Sequence, residues 1–242
     1  MNLLKVDGCH RAAQVLLDAV LPEGCQLCAE PVRGIPICAG CRDDLPWIST
    51  ACPRCGRPVP WPTTCGSCLS QPPPWQAAVV PFAWGFPVDR LVGRFKYAGA
   101  LHHGRLLGML LAGAVAGRAV DALVPVPLHP ARLAERGYNQ AAEIARPVGR
   151  RLGVPVRASL CRRVRATPAQ AGLPADVRRG NPAGAFSAAR GCDGLHLAVV
   201  DDVLTTGATA AAVTRCLRRA GAAGVEVWAV ARGGTRTAGG PT

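Results

Sequence analysis

The most constraining stretch of the chain is Leu197-Ala198-Val199-Val200-Asp201-Asp202-Val203-Leu204-Thr205-Thr206-Gly207-Ala208-Thr209. An apolar run of strand-forming residues ends in two adjacent carboxylates. Two threonines and a glycine then open onto Ala210-Ala211-Ala212-Val213-Thr214-Arg215-Cys216-Leu217, a helical pattern. The reading is a buried strand, an acidic tip and a helix N-terminus in immediate succession.

The first turn of a helix presents backbone N–H groups without intrahelical partners at the positive end of the helix dipole, so a phosphate fits there. Gly207 lets the backbone come close, and Thr205, Thr206 and Thr209 add hydroxyl donors. Two carboxylates beside a phosphate would repel it. The ligand must therefore also bring donors, as sugar hydroxyls do, or a divalent cation. A sugar phosphate satisfies both ends of the pattern.

The second strong signal is a repeat. Cysteines come as C-x-x-C pairs at Cys25/Cys28, Cys38/Cys41, Cys52/Cys55 and Cys65/Cys68, with the same nine-residue gap inside the first two pairs and the last two. Two such pairs complete a closed zinc site of four thiolates with no open position for catalysis. Sequential ribbons fit the repeat best, with Cys25, Cys28, Cys38 and Cys41 on one zinc and Cys52, Cys55, Cys65 and Cys68 on the other; a cross-braced arrangement is the alternative. Glycine and proline are plentiful here and apolar periodicity is weak, so metal replaces a core too small to form.

The net charge is +13, and Lys5 and Lys96 are the only lysines. Zinc thiolates reduce this without reversing it, which favours anionic partners, a polyphosphate or a nucleic acid. Val6 to Leu21 is interrupted by Asp7, His10, Arg11 and Asp18 and predicts an amphipathic helix rather than a signal peptide. Leu106 to Gly117, the longest apolar run, is too short to span a bilayer. Paired cysteines without a leader point to metal binding in a reducing cytoplasm.

Along the chain, the prolines at 72–74 mark a stiff linker, which divides a helix-plus-ribbon module over 1–72 from a second domain over 73–232 and a flexible tail over 233–242. The second domain opens with a strand over 77–84. A helix carrying Leu91, Phe95, Lys96 and Tyr97 follows, then Gly99 and a helix over 102–117. Asp121 to Val126 is a strand whose C-terminal loop carries His129, Arg132 and Arg136, on the edge where open α/β sheets bind ligands. A helix over 139–152, a strand over 154–160 and a strand over 225–231 complete the alternation, which calls for a parallel sheet with helices on both faces. The aperiodic basic stretch from Arg162 to Phe186 is long enough to be a lid over a polyphosphate.

The stretch at 197–209 resembles the phosphoribosyl pyrophosphate (PRPP) motif of type I phosphoribosyltransferases at every position. Added to the cysteine repeat are Lys96-Tyr97-x-Gly99, Val124-Pro125-Val126-Pro127-Leu128, Arg136-Gly137-Tyr138-Asn139-Gln140, Arg165-x-Thr167-x-x-Gln170-x-x-Leu173, Arg179-x-Asn181 and Ala185-Phe186. Together they make the chain similar to the ComF family, in which a double zinc ribbon precedes a type I phosphoribosyltransferase-like domain. The resemblance implies two structural zinc ions and PRPP bound with Mg2+. Asp201 and Asp202 would hold the ribose hydroxyls and serve as the catalytic pair. Thr205, Thr206, Gly207, Ala208 and Thr209 would wrap the 5-phosphate, Arg132 and Arg136 would meet the pyrophosphate, and Lys96 would reach the ligand. It also implies single-stranded DNA handling during competence, with DNA and competence proteins such as a DNA-uptake helicase as partners and no membrane insertion. The alternative is a metabolic phosphoribosyltransferase acting on a small nitrogenous acceptor.

Overall fold

The structure is a computed structural model that describes residues 23–165 and 184–234. The expected N-terminal helix, the lid residues Thr167, Gln170, Leu173, Arg178, Arg179 and Asn181, and the tail beyond Gly234 lie outside the described residues. The chain forms two compact units, 1–45 and 46–242. The proline run at 72–74 falls inside the second of these, which thus contains the second ribbon as well as the sheet.

In the smaller unit, β1 (Glu23–Gly24) and β2 (Pro31–Val32) pair as a short antiparallel hairpin, and a one-turn helix α1 (Ala39–Asp43) follows. Cys38 is the N-cap of α1, its sulfur accepting from the Cys41 N–H. Ile37 and Leu45 are its buried aliphatics. This is far too little apolar area to offset chain entropy without metal.

The larger unit begins with the second ribbon, in which Ala51 and Pro58 form an antiparallel bridge and α2 (Gly66–Ser70) carries Cys68. A five-stranded parallel sheet follows. Its order is β3 (Ala77–Val79), β9 (Gly224–Arg232), β8 (His196–Leu204), β5 (Ala122–Pro125), and β4 (Phe82–Ala83) continues along β9 beyond β3. The strand expected over 77–84 is therefore broken, because Pro81 has no N–H to give to a ladder. The chain at 46–48 covers the outer edge of β4, with Ile48 N–H donating to Pro81 O at 2.8 Å and Ala83 N–H to Pro46 O at 2.8 Å.

Alternation along the strands divides the sheet into two apolar faces. Leu197, Val199, Ala122, Val124, Val225 and Val227 pack with Val213 and Leu217 of α7 (Ala208–Arg219). Leu123, Ala198, Val200, Trp228 and Val230 are buried on the other side, where α4 (Leu101–Ala114) and α6 (Gln140–Leu152) lie against each other and the sheet. Burying side chains of this size stabilises by about 1.5–3 kcal/mol each. The parallel sheet with helices on both faces stands as expected.

One expectation fails. No strand runs over 154–160: Gly153 ends α6 in the left-handed region, and Pro155 again interrupts a ladder. Val156 makes a single parallel bridge to Leu123, and a 3-10 turn spans Ala158–Leu160. The strand comes later, as β6 (Cys161–Arg163), paired antiparallel with β7 (Phe186–Ala188). The ends of the stretch read as a lid are thus a two-stranded ribbon. Among the described residues, no helix is long and apolar enough to cross a membrane.

Candidate functional site

The acidic pair stands at the C-terminal end of β8, and the chain turns from there into α7. Asp202 is buried and Asp201 partly so. Gly207 is the N-cap of α7 with φ 79°. A Cβ there would come within 2.9 Å of Trp75 Cη2, so both the backbone angle and the space demand glycine. The twelve-residue helix beyond it has no acid in its first turn and two arginines in its last, which leaves the N-terminal end free to attract an anion. Thr206 Oγ1 accepts from Ala208 N–H at 3.4 Å.

Lys96 closes the acidic side. It projects from the last turn of α3 (Val88–Tyr97), and its Nζ lies 2.8 Å from Asp202 Oδ2. Burial alone would lower its pKa, but the attraction of Asp202, then of Asp201, outweighs burial and holds it above the ordinary lysine value. Asp201 is pushed the other way. Burial, then the neighbouring charge of Asp202, raises its pKa to about 8 despite Lys96.

The basic side comes from the loop after β5. His129 caps α5 (Pro130–Arg136), accepting from Ala131 N–H at 3.3 Å, and Gly137 ends it at φ 82°. Arg132 and Arg136 both line the cleft, and the Arg136 guanidinium lies 5.8 Å from the Tyr97 ring centroid. The loop is pinned from behind: Tyr138 donates its hydroxyl to Phe95 O and stacks on that ring, while Asn139 Nδ2 donates to Val126 O at 3.1 Å. These contacts give structural reasons for the residues after Gly137, which show in sequence only as a pattern.

All the residues expected to hold the ligand, except Thr206, line one cleft of about 530 Å3: Lys96, Arg132, Arg136, Asp201, Asp202, Thr205, Gly207, Ala208 and Thr209. Thr206 is exposed at the turn. The cleft also contains Arg163, from the basic stretch read as a lid, and Tyr97, read with Lys96 and Gly99 as a group that could reach the ligand, beside residues not picked out from sequence. Arg163 of β6 enters it, its guanidinium 5.5 Å from the Phe186 ring and its pKa lowered by burial and by nearby Arg132. Trp84, Asp89 and Tyr97 line it as well, as does Gln140, which is 3% exposed and whose Nε2 has no hydrogen-bond partner. Only the three-dimensional crossing of α3, β6 and the loop after β5 brings these together, and no local spacing announces Trp84 or Asp89.

The eight ribbon cysteines form two groups, Cys25/Cys28/Cys38/Cys41 and Cys52/Cys55/Cys65/Cys68, whose sulfurs in each group lie within 4.8 Å of one another. A tetrahedron of four thiolates around zinc, with Zn–S of about 2.3 Å, has edges of about 3.8 Å. Cys28 Sγ–Cys38 Sγ is 3.7 Å and Cys55 Sγ–Cys65 Sγ is 3.6 Å. The residues therefore fit structural zinc in the sequential pairing. Burial raises the Cys25 and Cys52 thiols, but backbone N–H groups outweigh it, from Cys28, Cys38 and Leu27 on the first and from Cys65, Arg54 and Cys55 on the second. Cys25 falls to about 6 and Cys52 to about 7.

The zinc ribbons have known relatives. Residues 16–69 match the double zinc ribbon domain family. Competence protein F of Haemophilus influenzae is 32% identical over 218 residues, covering 86% of this chain and 90% of that protein. DNA utilization protein YhgH of Salmonella typhi is 37% identical over 153 residues, 60% of this chain and 67% of that protein. Among solved structures, the purine phosphoribosyltransferase of Pyrococcus horikoshii aligns at 14% identity and a TM-score of 0.34, over 64% of this chain and 77% of that one. With the ribbons, the sheet and near full-length similarity to competence protein F in hand, the chain belongs to the ComF family.

Proposed function

We propose that the cleft binds PRPP together with its magnesium ion, and that the protein serves in the cytoplasmic handling of single-stranded DNA taken up during competence. The observation that carries the ligand reading is the convergence, in one cleft, of a phosphate-sized loop at a helix N-terminus, an acidic strand tip, and the cations Lys96, Arg132, Arg136 and Arg163. Each part has a partner on the ligand. The loop from Thr205 to Thr209 takes the 5-phosphate, Asp201 and Asp202 take the ribose hydroxyls, and the arginines take the diphosphate.

Two carboxylates suit a hard cation, but Lys96 already balances Asp202. Magnesium therefore fits as a companion of the diphosphate rather than as a resident ion, and when bound it supplies neutralisation of the leaving charge. Where a nitrogen acceptor is present, diphosphate departs from C1 through a cation-like transition state as the nitrogen attacks. Asp201 and Asp202 keep the ribose oriented, and Arg132, Arg136 and Arg163 face the developing negative charge. Calorimetry tests the ligand: wild type binds Mg2+-PRPP, and Asp201→Ala/Asp202→Ala does not. Equal binding by the two proteins would overturn the reading.

The DNA role draws support from the net charge of +13 and from the names of the relatives, competence protein F and DNA utilization protein. Salt-dependent binding of single strands that persists in the double Asp variant places DNA outside the cleft. The half-exposed Trp84 and exposed Tyr97 at the cleft favour a second reading, transfer to a small planar nitrogenous acceptor. Release of diphosphate stimulated by one base, and abolished in the same variant, identifies that activity.

A further inference from the structure

The second zinc knuckle and the phosphate loop are joined by two separate side chains. Arg232, at the end of β9, is 3% exposed. Its Nε donates to Cys55 O at 2.9 Å, and its Nη1 donates to Gly233 O at 2.8 Å and to Leu204 O and Thr205 O. One guanidinium thus spans a cysteine of the second site and the first residues of the loop. Trp75 makes the other link. Its Nε1 donates to Arg54 O at 2.6 Å, inside the Cys52–Cys55 knuckle, while its ring edge is the surface against which Gly207 turns. The knuckle is fixed to the sheet by a third bond, Ala78 N–H to Pro53 O at 2.9 Å.

A zinc ion closes the Cys52–Cys55 turn and so sets the direction of its carbonyls. Those carbonyls hold Arg232 and Trp75, and these two side chains hold the loop at both of its ends, Leu204–Thr205 and Gly207. We propose that Arg232 and Trp75 are positioning residues through which zinc at Cys52, Cys55, Cys65 and Cys68 sets the conformation of the phosphate loop. The second zinc is in this sense part of the phosphate site, whereas the zinc at Cys25, Cys28, Cys38 and Cys41 is not. Loss of the second ion, by chelation, lowers affinity for a sugar phosphate although no zinc ligand touches it.

The test uses the full chain in three forms, wild type, Cys28→Ser and Cys65→Ser, with zinc content measured on each. Cys65 lies in the second cysteine pair, away from the carbonyls that hold Arg232 and Trp75. Two readouts are taken: amide hydrogen exchange across Leu204–Thr209 against Val199 and Val227 in the sheet, and affinity for ribose 5-phosphate. Cys65→Ser should speed loop exchange about tenfold more than sheet exchange and weaken ribose 5-phosphate by about tenfold. Cys28→Ser should change neither. Loop exchange in zinc-depleted Cys65→Ser equal to wild type overturns the proposal.

Should Cys65→Ser unfold the sheet, Arg232→Lys decides, since a lysine keeps the charge but cannot bridge both sides with a planar fork. With two zincs retained, it should loosen the loop by about the same factor; an unchanged loop overturns the proposal. The inference deepens the phosphate reading of the cleft but is separable from it. Loop exchange that follows second-site zinc, with no ribose 5-phosphate binding by wild type, supports the coupling and removes the ligand assignment instead.

Discussion

The two zinc ribbons have the same cysteine spacing and opposite surroundings. In the first, Cys28 is exposed and Cys38 and Cys41 are half-buried, within a hairpin of two-residue strands and a single helical turn. In the second, Cys52, Cys55 and Cys68 are buried, and three consecutive knuckle carbonyls, Pro53, Arg54 and Cys55, accept hydrogen bonds from Ala78, Trp75 and Arg232 of the same unit. Spacing fixes how a metal is held. What the metal then supports depends on where the knuckle's remaining polar groups are spent.

Several measurements can break or sharpen this contrast, and tryptophan fluorescence suits them because all five tryptophans lie beyond residue 45, in the larger unit. The largest effect should come from Cys68→Ser, which removes a buried zinc ligand and should lower the urea-unfolding free energy of the larger unit by on the order of 5 kcal/mol. Cys28→Ser should leave that transition in place. Arg232→Ala comes next. It strands several buried carbonyls and should cost about 3–4 kcal/mol, whereas Arg42→Ala, an exposed side chain with Asp43 at 4.0 Å, should cost under about 0.5 kcal/mol.

Two glycines form a matched pair. Gly34 in the first unit and Gly207 in the second have φ near 80°, but a Cβ at Gly34 meets nothing within 4 Å and one at Gly207 meets Trp75 at 2.9 Å. Gly207→Ala should cost about 2–3 kcal/mol and weaken phosphate binding; Gly34→Ala should cost about 1 kcal/mol, the backbone part alone. Equal costs would show that Trp75 yields easily.

Smallest, and opposite in sign, is Asp201→Asn. Because the folded pKa of Asp201 is raised to about 8, the folded state binds more protons than the unfolded state between about pH 4 and pH 8, and stability falls as pH rises through that window. Removing the charge should stabilise the larger unit at pH 8, by less than the full equivalent of the pKa shift because solvent screens the partly exposed carboxylate, with the gain vanishing near pH 4. Thermal scans at the two pH values check it. A variant less stable than wild type at pH 8 would mean that the carboxylate is better solvated than its burial indicates.

The legible parts of the sequence were those written locally. The cysteine repeat specified that there are two metal sites, because C-x-x-C geometry is set within four residues, and it favoured the sequential pairing over a cross-braced one; the choice between them is made by the sulfur clusters in three dimensions. The strand–acid–helix stretch specified its own turn for the same reason. The strand over 154–160 failed because its apolar composition outvoted Pro155, whose missing N–H matters only once a neighbouring strand is in place. Arg163 was grouped with a lid because a strand paired to Phe186–Ala188 across a long gap leaves no periodic trace. Arg232 and Trp75 were silent: a buried arginine at the end of an apolar strand and a tryptophan after a proline run acquire meaning from carbonyls far away in the chain.

The ion pair between Lys96 and Asp202 has one further consequence. At 2.8 Å the ammonium takes one acceptor position of that carboxylate and leaves its other oxygen open. A ligand hydroxyl that donates to Asp202 therefore adds to the ion pair rather than displacing it. The same ammonium, held beside the carboxylate, stays within the cleft that also holds the arginines. One lysine thus keeps the acidic tip neutral enough to stand beside a negatively charged ligand.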